Sequence, residues 1–228
     1  MVTDVSLENN TRTNRIWAVS VGGGAPVSFE REPVAADSPR WSPDGRQVAF
    51  VSARDGSSQI WIGEVSSSGQ IVGEPRKLTS LTTEAGGPKW SPDGRWIAFT
   101  SDVYPECGTI ACNEAKLEEQ ASAKSRARVF DHLLFRHWVS WKDGRHSHVL
   151  LVPSDGSAPP RDLTPGAADV PPFSLGGPDD YVFSPDSREL AFARKTDPVE
   201  AISTTSDLFL LDLTAPGAAA RKITSNTA

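Results

Sequence analysis

Trp41-Ser42-Pro43-Asp44-Gly45-Arg46-Gln47-Val48-Ala49-Phe50 returns as Trp90-Ser91-Pro92-Asp93-Gly94-Arg95-Trp96-Ile97-Ala98-Phe99 and, more loosely, as Phe183-Ser184-Pro185-Asp186-Ser187-Arg188-Glu189-Leu190-Ala191-Phe192. Pro presets φ at the first turn position, Asp suits the second, and Gly tolerates the left-handed conformation from which the chain re-enters a strand. The aromatic before the turn and the Val/Ile/Leu-Ala-Phe run after it are strand formers that can pack between neighbouring sheets. Each copy therefore predicts a hairpin. Ser187 stands where the other two copies carry Gly, so that turn is expected to be strained or differently shaped, with the unit preserved.

Outward from each hairpin lies a third apolar run, Ile60-Trp61-Ile62, Val149-Leu150-Leu151-Val152 or Leu208-Phe209-Leu210-Leu211. A turn and a short fourth run follow, ending in Leu78-Thr79, Leu163-Thr164 or Ile223-Thr224. Four strands per unit is the plan of a propeller blade, and the 49 residues from Trp41 to Trp90 match the roughly 40 to 50 expected per blade. An earlier partial unit has Arg15 to Val19 as its third strand, Gly22-Gly23-Gly24 as its turn and Ala25 to Phe29 as its fourth strand. The fold class predicted is all-β, a partial β-propeller of about four four-stranded antiparallel blades with one long insertion. The divisions are a partial blade over 1–34 and blades over 35–84, 85–172 and 173–228. A complete small sandwich is the alternative, but it would make the repeat period a coincidence. The sequence also reads as a segment with both ends open, since no innermost strand remains after residue 224 to close a ring.

Composition agrees with many short strands joined by turns: 18 Gly and 18 Pro against a single Met in 228 residues. With 38% hydrophobic and 23% charged residues, the chain reads as globular. A net charge of -6 leaves no basic stripe for phosphates, so a nucleic-acid partner is not expected. No apolar run approaches the roughly 20 residues of a membrane span, and Met1-Val2-Thr3-Asp4 has none of the features of a signal peptide.

One unit is longer than the others. From Trp90 to Phe183 is 93 residues, which places an insertion over about 102–145, between its second and third strands. Asn113 to Ala121 is rich in helix formers and predicts a short exposed helix, while Arg128 to Trp138 reads more as strand than as helix. The insertion carries the phrase Phe130-Asp131-His132-Leu133-Leu134-Phe135-Arg136-His137-Trp138-Val139-Ser140-Trp141-Lys142-Asp143-Gly144, preceded by Tyr104-Pro105-Glu106-Cys107. With the Ser-Pro-Asp-Gly repeat, shared by many TolB-like propellers, this phrase resembles the bacterial dipeptidyl aminopeptidase and acylaminoacyl peptidase branch of the prolyl oligopeptidase family of serine peptidases.

That resemblance implies an N-terminal propeller capping a C-terminal α/β-hydrolase domain with a Ser-Asp-His triad, the propeller admitting short peptides and excluding folded proteins. The expected partners are that domain and short peptide substrates. No Gly-x-Ser-x-Gly nucleophile elbow occurs, so this segment is expected to hold no catalytic residue and to be inactive alone. No cofactor and no metal are expected. The rival reading is a non-enzymatic TolB-like interaction propeller.

Candidate substrate-binding residues are Arg136, His137 and Trp138, where a guanidinium can bind a peptide carbonyl or carboxylate, and Asp179 and Asp180, which can hold an α-amine. The plainer readings are that the Arg-His-Trp group pins the insertion and that the Asp pair is a turn. Cys107 and Cys112 can pair as a disulfide, stay as free thiols, or join a zinc site, although their spacing matches no standard ligand motif. A disulfide would favour the periplasm or the cell exterior over the cytoplasm.

Overall fold

A computed structural model describes all residues except 31–33, 126, 131, 132, 134, 138, 139, 174–179, 198, 216 and 226–228, together with the side chain of residue 200. In chain order the strands begin with β1 (Val2–Ser6), β2 (Thr11–Arg15), β3 (Trp17–Ala18) and β4 (Val27–Ser28), followed by β5 (Asp37–Trp41), β6 (Gln47–Ser52), β7 (Gln59–Val65) and β8 (Ile71–Lys77). Then come β9 (Gly86–Trp90), β10 (Trp96–Val103), helix α1 (Ile110–Ser122), β11 (Arg136–His137), β12 (Ser140–Trp141), β13 (His146–Pro153) and β14 (Arg161–Asp162). The last strands are β15 (Tyr181–Phe183), β16 (Glu189–Lys195), β17 (Ser206–Asp212) and β18 (Arg221–Lys222).

Three four-stranded sheets have the orders β5-β6-β7-β8, β14-β13-β10-β9 and β15-β16-β17-β18, the up-and-down meander of propeller blades. The pair β3-β4 belongs to the partial unit, but its strands are shorter than expected. The hairpin β1-β2 before it was not foreseen: its strands are polar and exposed, and its turn ends at Asn10 with φ 48° rather than at a glycine. The chain divides into two compact units, residues 1–99 with 151–161 and residues 100–150 with 162–228.

In the first unit, β6 is buried on both faces. Val48 and Phe50 pack on one side against Ile16, Phe29 and Ala36, with Phe29 edge-on to Phe50 at 5.7 Å. Trp90 donates its indole N–H to the Arg40 carbonyl at 3.0 Å, tying β9 to β5. The repeat's turn chemistry is visible here: the Ser42 hydroxyl donates to Asp44 at 2.6 Å, and Asp44 accepts the Arg46 N–H at 3.1 Å. Ser91 and Asp93 repeat the arrangement.

In the second unit, Ser184, Asp186 and Arg188 make the same bonds, and the Ser187 N–H donates to the Ser184 carbonyl at 2.9 Å as Gly45 does to Ser42. Ser187 adopts φ 63°, close to Gly45 at 70° and Gly94 at 73°, so the turn keeps its shape and a non-glycine residue carries the left-handed conformation. The sheet β15-β16-β17-β18 buries one face, with Tyr181, Leu190, Phe192 and Phe209 all less than 5% exposed. Its opposite face, where Val182 pairs with Ala191 and Ala193 with Leu208, leaves Val182, Leu208 and Ile223 exposed. Among the described residues no helix is long and apolar enough to cross a membrane.

Candidate functional site

The insertion leaves the second sheet after Val103 and returns at His146. Helix α1 is longer than the sequence suggested, starting at Ile110, because the Thr109 hydroxyl caps it by accepting the Cys112 N–H at 3.2 Å. The buried Asn113 amide oxygen accepts the Tyr104 N–H at 2.8 Å, docking the helix to the end of β10. Cys107 and Cys112 form a disulfide across the loop that enters the helix, with Cα atoms 5.4 Å apart. Of the expected strand over Arg128 to Trp138, the described residues form the two-residue β11, paired with β12. Side-chain stacking replaces alternation there: Phe130 stacks on Phe135 at 4.4 Å and on Trp141 at 5.5 Å. The Arg128 and Arg136 guanidinium groups lie over the Trp141 ring at 4.8 and 5.3 Å.

From β12 the chain reaches β13 through Lys142-Asp143-Gly144-Arg145, closed by the Arg145 N–H to the Lys142 carbonyl at 2.9 Å. Asp143 and Gly144 both have positive φ, 49° and 77°, the signature of a tight hairpin turn of the Asp-Gly type. That turn sets Lys142 and Arg145 beside Asp102 of β10 and the loop residue Asp169, around a cavity of about 310 Å³. Trp141, Pro171, Pro172 and Phe173 supply apolar wall, and the His137 ring stacks on Phe173 at 4.3 Å. A wider groove of about 960 Å³ runs along the insertion and shares Lys142, Arg145 and Asp169 with the cavity.

The charges are not equally matched. Asp169 is buried, pairs with the Lys142 ammonium, accepts the Ser147 N–H at 2.9 Å and lies 3.3 Å from His146 Nδ1. Burial alone would raise its pKa, but the neighbouring His146 and the charge and hydrogen bond of Lys142 hold its carboxyl well below the usual range. Asp102 differs: surrounding protein raises its pKa, opposed by the charges of Arg145 and Lys142 without a hydrogen bond from either. Asp102 is nonetheless an exposed residue lining the cavity. Arg145 Nε is buried without a hydrogen-bond partner.

The candidates read from the sequence thus separate. His137 lines the cavity, whereas Arg136 is spent on the face of Trp141. Trp138 and Asp179 lie outside the described residues, and Asp180 is exposed beside β15, away from the cavity lining. Sequence reasoning missed Asp102, Lys142, Arg145 and Asp169; the Asp-Gly turn after Trp141 was the one local signal for two of them. Among the described residues no group of three or more His, Cys, Asp or Glu could hold a metal ion.

No family model matches the sequence. It is 26% identical over 213 residues to Dipeptidyl-peptidase 5 of Porphyromonas endodontalis, a match covering 92% of this chain and 29% of that protein. The chain therefore spans under a third of the length of this curated relative. Among solved structures, it resembles the acylaminoacyl peptidase of Pyrococcus horikoshii with TM-score 0.62 and 14% identity, over 98% of this chain and 30% of that one. It also resembles the β-propeller domain of the Trilobed protease from Pyrococcus furiosus with TM-score 0.50 and 13% identity, over 97% and 52%. At such identities the structural likeness establishes the fold, a β-propeller.

Proposed function

We propose, from the premise that this chain is a β-propeller segment akin in sequence to dipeptidyl-peptidases and to the prolyl oligopeptidase family, that it is the substrate-gating part of a serine exopeptidase acting on short peptides. The observation that carries this reading is sequence relationship over 92% of the chain to a peptidase more than three times its length. The triad belongs to an α/β-hydrolase domain outside these residues, which contain no Gly-x-Ser-x-Gly. Further blades cover the apolar face of Val182, Leu208 and Ile223, a surface that a soluble protein seldom leaves open. The Cys107–Cys112 disulfide supports work in an oxidising compartment, the periplasm or the cell exterior.

The test uses the complete natural protein with chromogenic dipeptidyl and acylaminoacyl substrates, a serine-directed phosphonofluoridate, and a folded protein substrate. Turnover of the short substrates, its loss on phosphonylation, and no cleavage of the folded protein are expected. Turnover by residues 1–228 alone would overturn the division of labour. A complete protein that hydrolyses no short peptide would leave a non-enzymatic interaction propeller.

A further inference from the structure

We propose that His148 is a proton-operated latch for a strap of residues 165–168, which it fastens to β13 when the imidazole is charged and releases when the imidazole is neutral. The strap lies between two buried anchors. On one side, the Leu163 N–H donates to the Val149 carbonyl at 2.9 Å and Thr164 Oγ accepts the Val149 N–H at 3.0 Å. On the other, Asp169 accepts the Ser147 N–H at 2.9 Å and the Val170 N–H donates to the Ser147 carbonyl at 2.7 Å. Pro165, Gly166 and Ala167 between them are exposed. Among the described residues, the bond that ties this stretch to β13 runs from His148 Nε2 to the Gly166 carbonyl at 2.8 Å. Ala167, Ala168 and Asp169 line the wide groove, so the position of the strap sets the width of the groove there.

A buried histidine with an acceptor against each ring nitrogen has two states that differ in one bond. Charged, the ring donates to the Asp162 carboxylate at 2.6 Å and to the Gly166 carbonyl. Neutral, it has one proton for two acceptors, and the ionised Asp162 holds that proton at Nδ1 more strongly than a carbonyl holds it at Nε2. The Nε2 lone pair then faces the Gly166 oxygen, and two acceptors with no proton between them separate and take water instead. Asp162 of β14 and Asp169 of the far anchor both favour the charged ring; against burial they carry the net shift upward, so release comes as pH rises above 6.5. The remaining charges nearby are engaged elsewhere. Lys142 pairs with Asp169, Arg145 acts on Asp102 of β10, Arg161 of β14 is exposed, and His146, on the same face of β13, lies 3.3 Å from Asp169. Both anchors outlast the proton, which confines the release to the strap. The latch does not rest on the peptidase reading and is measured without substrate.

The experiment is an NMR titration of the complete natural protein from about pH 5 to about pH 9, with alanine methyl groups labelled with carbon-13 and the imidazole nitrogens of His148 followed in parallel. The Ala167 and Ala168 methyl signals should share one midpoint with His148, above pH 6.5, and their order parameters should fall about twofold on the alkaline side. Ala49 and Ala98, fully buried in β6 and β10, should stay fixed. His148→Gln should abolish the transition and Asp162→Asn should move it to lower pH, whereas His146→Gln, which removes the neighbouring imidazole, should leave it in place. Alanine signals that do not titrate, a transition that survives His148→Gln, is unmoved in Asp162→Asn or is lost in His146→Gln, or a neutral His148 with its proton on Nε2 would each overturn the proposal. Should a variant fail to fold, the unaltered protein still decides it, because separate midpoints for His148 and the two alanines overturn it as well.

Discussion

The sheet β5-β6-β7-β8 and the sheet β15-β16-β17-β18 fasten their outermost strand at the same place with different chemistry. In the first, Thr79 Oγ accepts the Ile60 N–H at 2.9 Å and donates to the amide oxygen of Gln59, a neutral side chain 1% exposed. In the other, Thr224 Oγ accepts the Leu208 N–H at 3.0 Å and donates to Asp207, also 1% exposed but charged and paired with Lys222 at 2.6 Å. The sheet β14-β13-β10-β9 puts His148 at the equivalent position, its ring nitrogens 2.6 Å from the Asp162 carboxylate and 2.8 Å from the Gly166 carbonyl. With an acceptor at each nitrogen, the imidazolium is the form that satisfies both bonds. What the blade demands is a buried polar group beside the Thr, not a particular residue, and each choice confers a different response to pH.

The largest effect is expected where the clamp is neutral. Gln59→Leu orphans the Thr79 hydroxyl and both the N–H and the carbonyl of Leu81, which Gln59 now bonds at 3.1 and 2.7 Å. At roughly 1–3 kcal/mol for a buried group left unsatisfied, a loss of about 3 kcal/mol is expected in urea unfolding. The loss should be the same at pH 5 and pH 8, and a pH-dependent loss would break the contrast. His148→Leu should cost about 2 kcal/mol at pH 5.5, the range for hydrogen bonds to a charged group. Burial lowers the His148 pKa, but Asp162 and the Gly166 carbonyl more than restore it, so the net shift is upward. A raised pKa gives stability that is complete below about 6.5, the unfolded value, and is lost as pH rises through the folded value. The gap between His148→Leu and the unaltered protein should therefore narrow toward pH 9.

Asp207 should respond at the opposite end of the scale. Hydrogen bonds from Lys222 and Thr196 outweigh desolvation and lower its pKa to about 2. A depressed carboxyl pKa gives stability that is complete above about 3.9 and is lost as pH falls toward 2. Asp207→Asn should flatten the stability profile between those values, read from acid titration of the unfolding midpoint. An unchanged acid limb would show that Asp207 acts through geometry alone.

The Ser-Pro-Asp-Gly turns were legible in the sequence because their chemistry is local: the residues that make the turn also bond one another. The clamp was not, because Gln59, His148 and Asp207 share no residue type and are equivalent only once the sheets align them. The same reason hid the cavity, whose Asp102 and Arg145 come from a strand and from a turn 43 positions later. His137 could be named from the sequence, but not the stacking on Phe173 that makes it a wall. Arg128 to Trp138 reads only weakly as strand because its order comes from stacking, with Phe130, Phe135 and Trp141 packed on one another.

The smallest expected effect sharpens the comparison at the turns themselves. Gly45 and Ser187 hold the same hydrogen bond at 2.9 Å and nearly the same φ, yet only Gly does so without a steric cost from Cβ. Gly45→Ser should therefore destabilise by about 1 kcal/mol, the usual cost of a side chain in the left-handed region. Nothing lies within 4 Å of a Cβ built at Gly45, so the penalty there is backbone strain and not a clash. Ser187→Gly relieves the same strain, but it frees the unfolded chain by about 0.5–1 kcal/mol and gives up what the Ser187 side chain contributes. The unfolded-chain term enters the two substitutions with opposite sign, so the loss at residue 45 should exceed the gain at residue 187 only by what the Ser187 side chain contributes to the folded turn. Matched unfolding curves of the two variants test this, and a gain at residue 187 as large as the loss at residue 45 would show that the Ser187 side chain adds nothing to the folded turn.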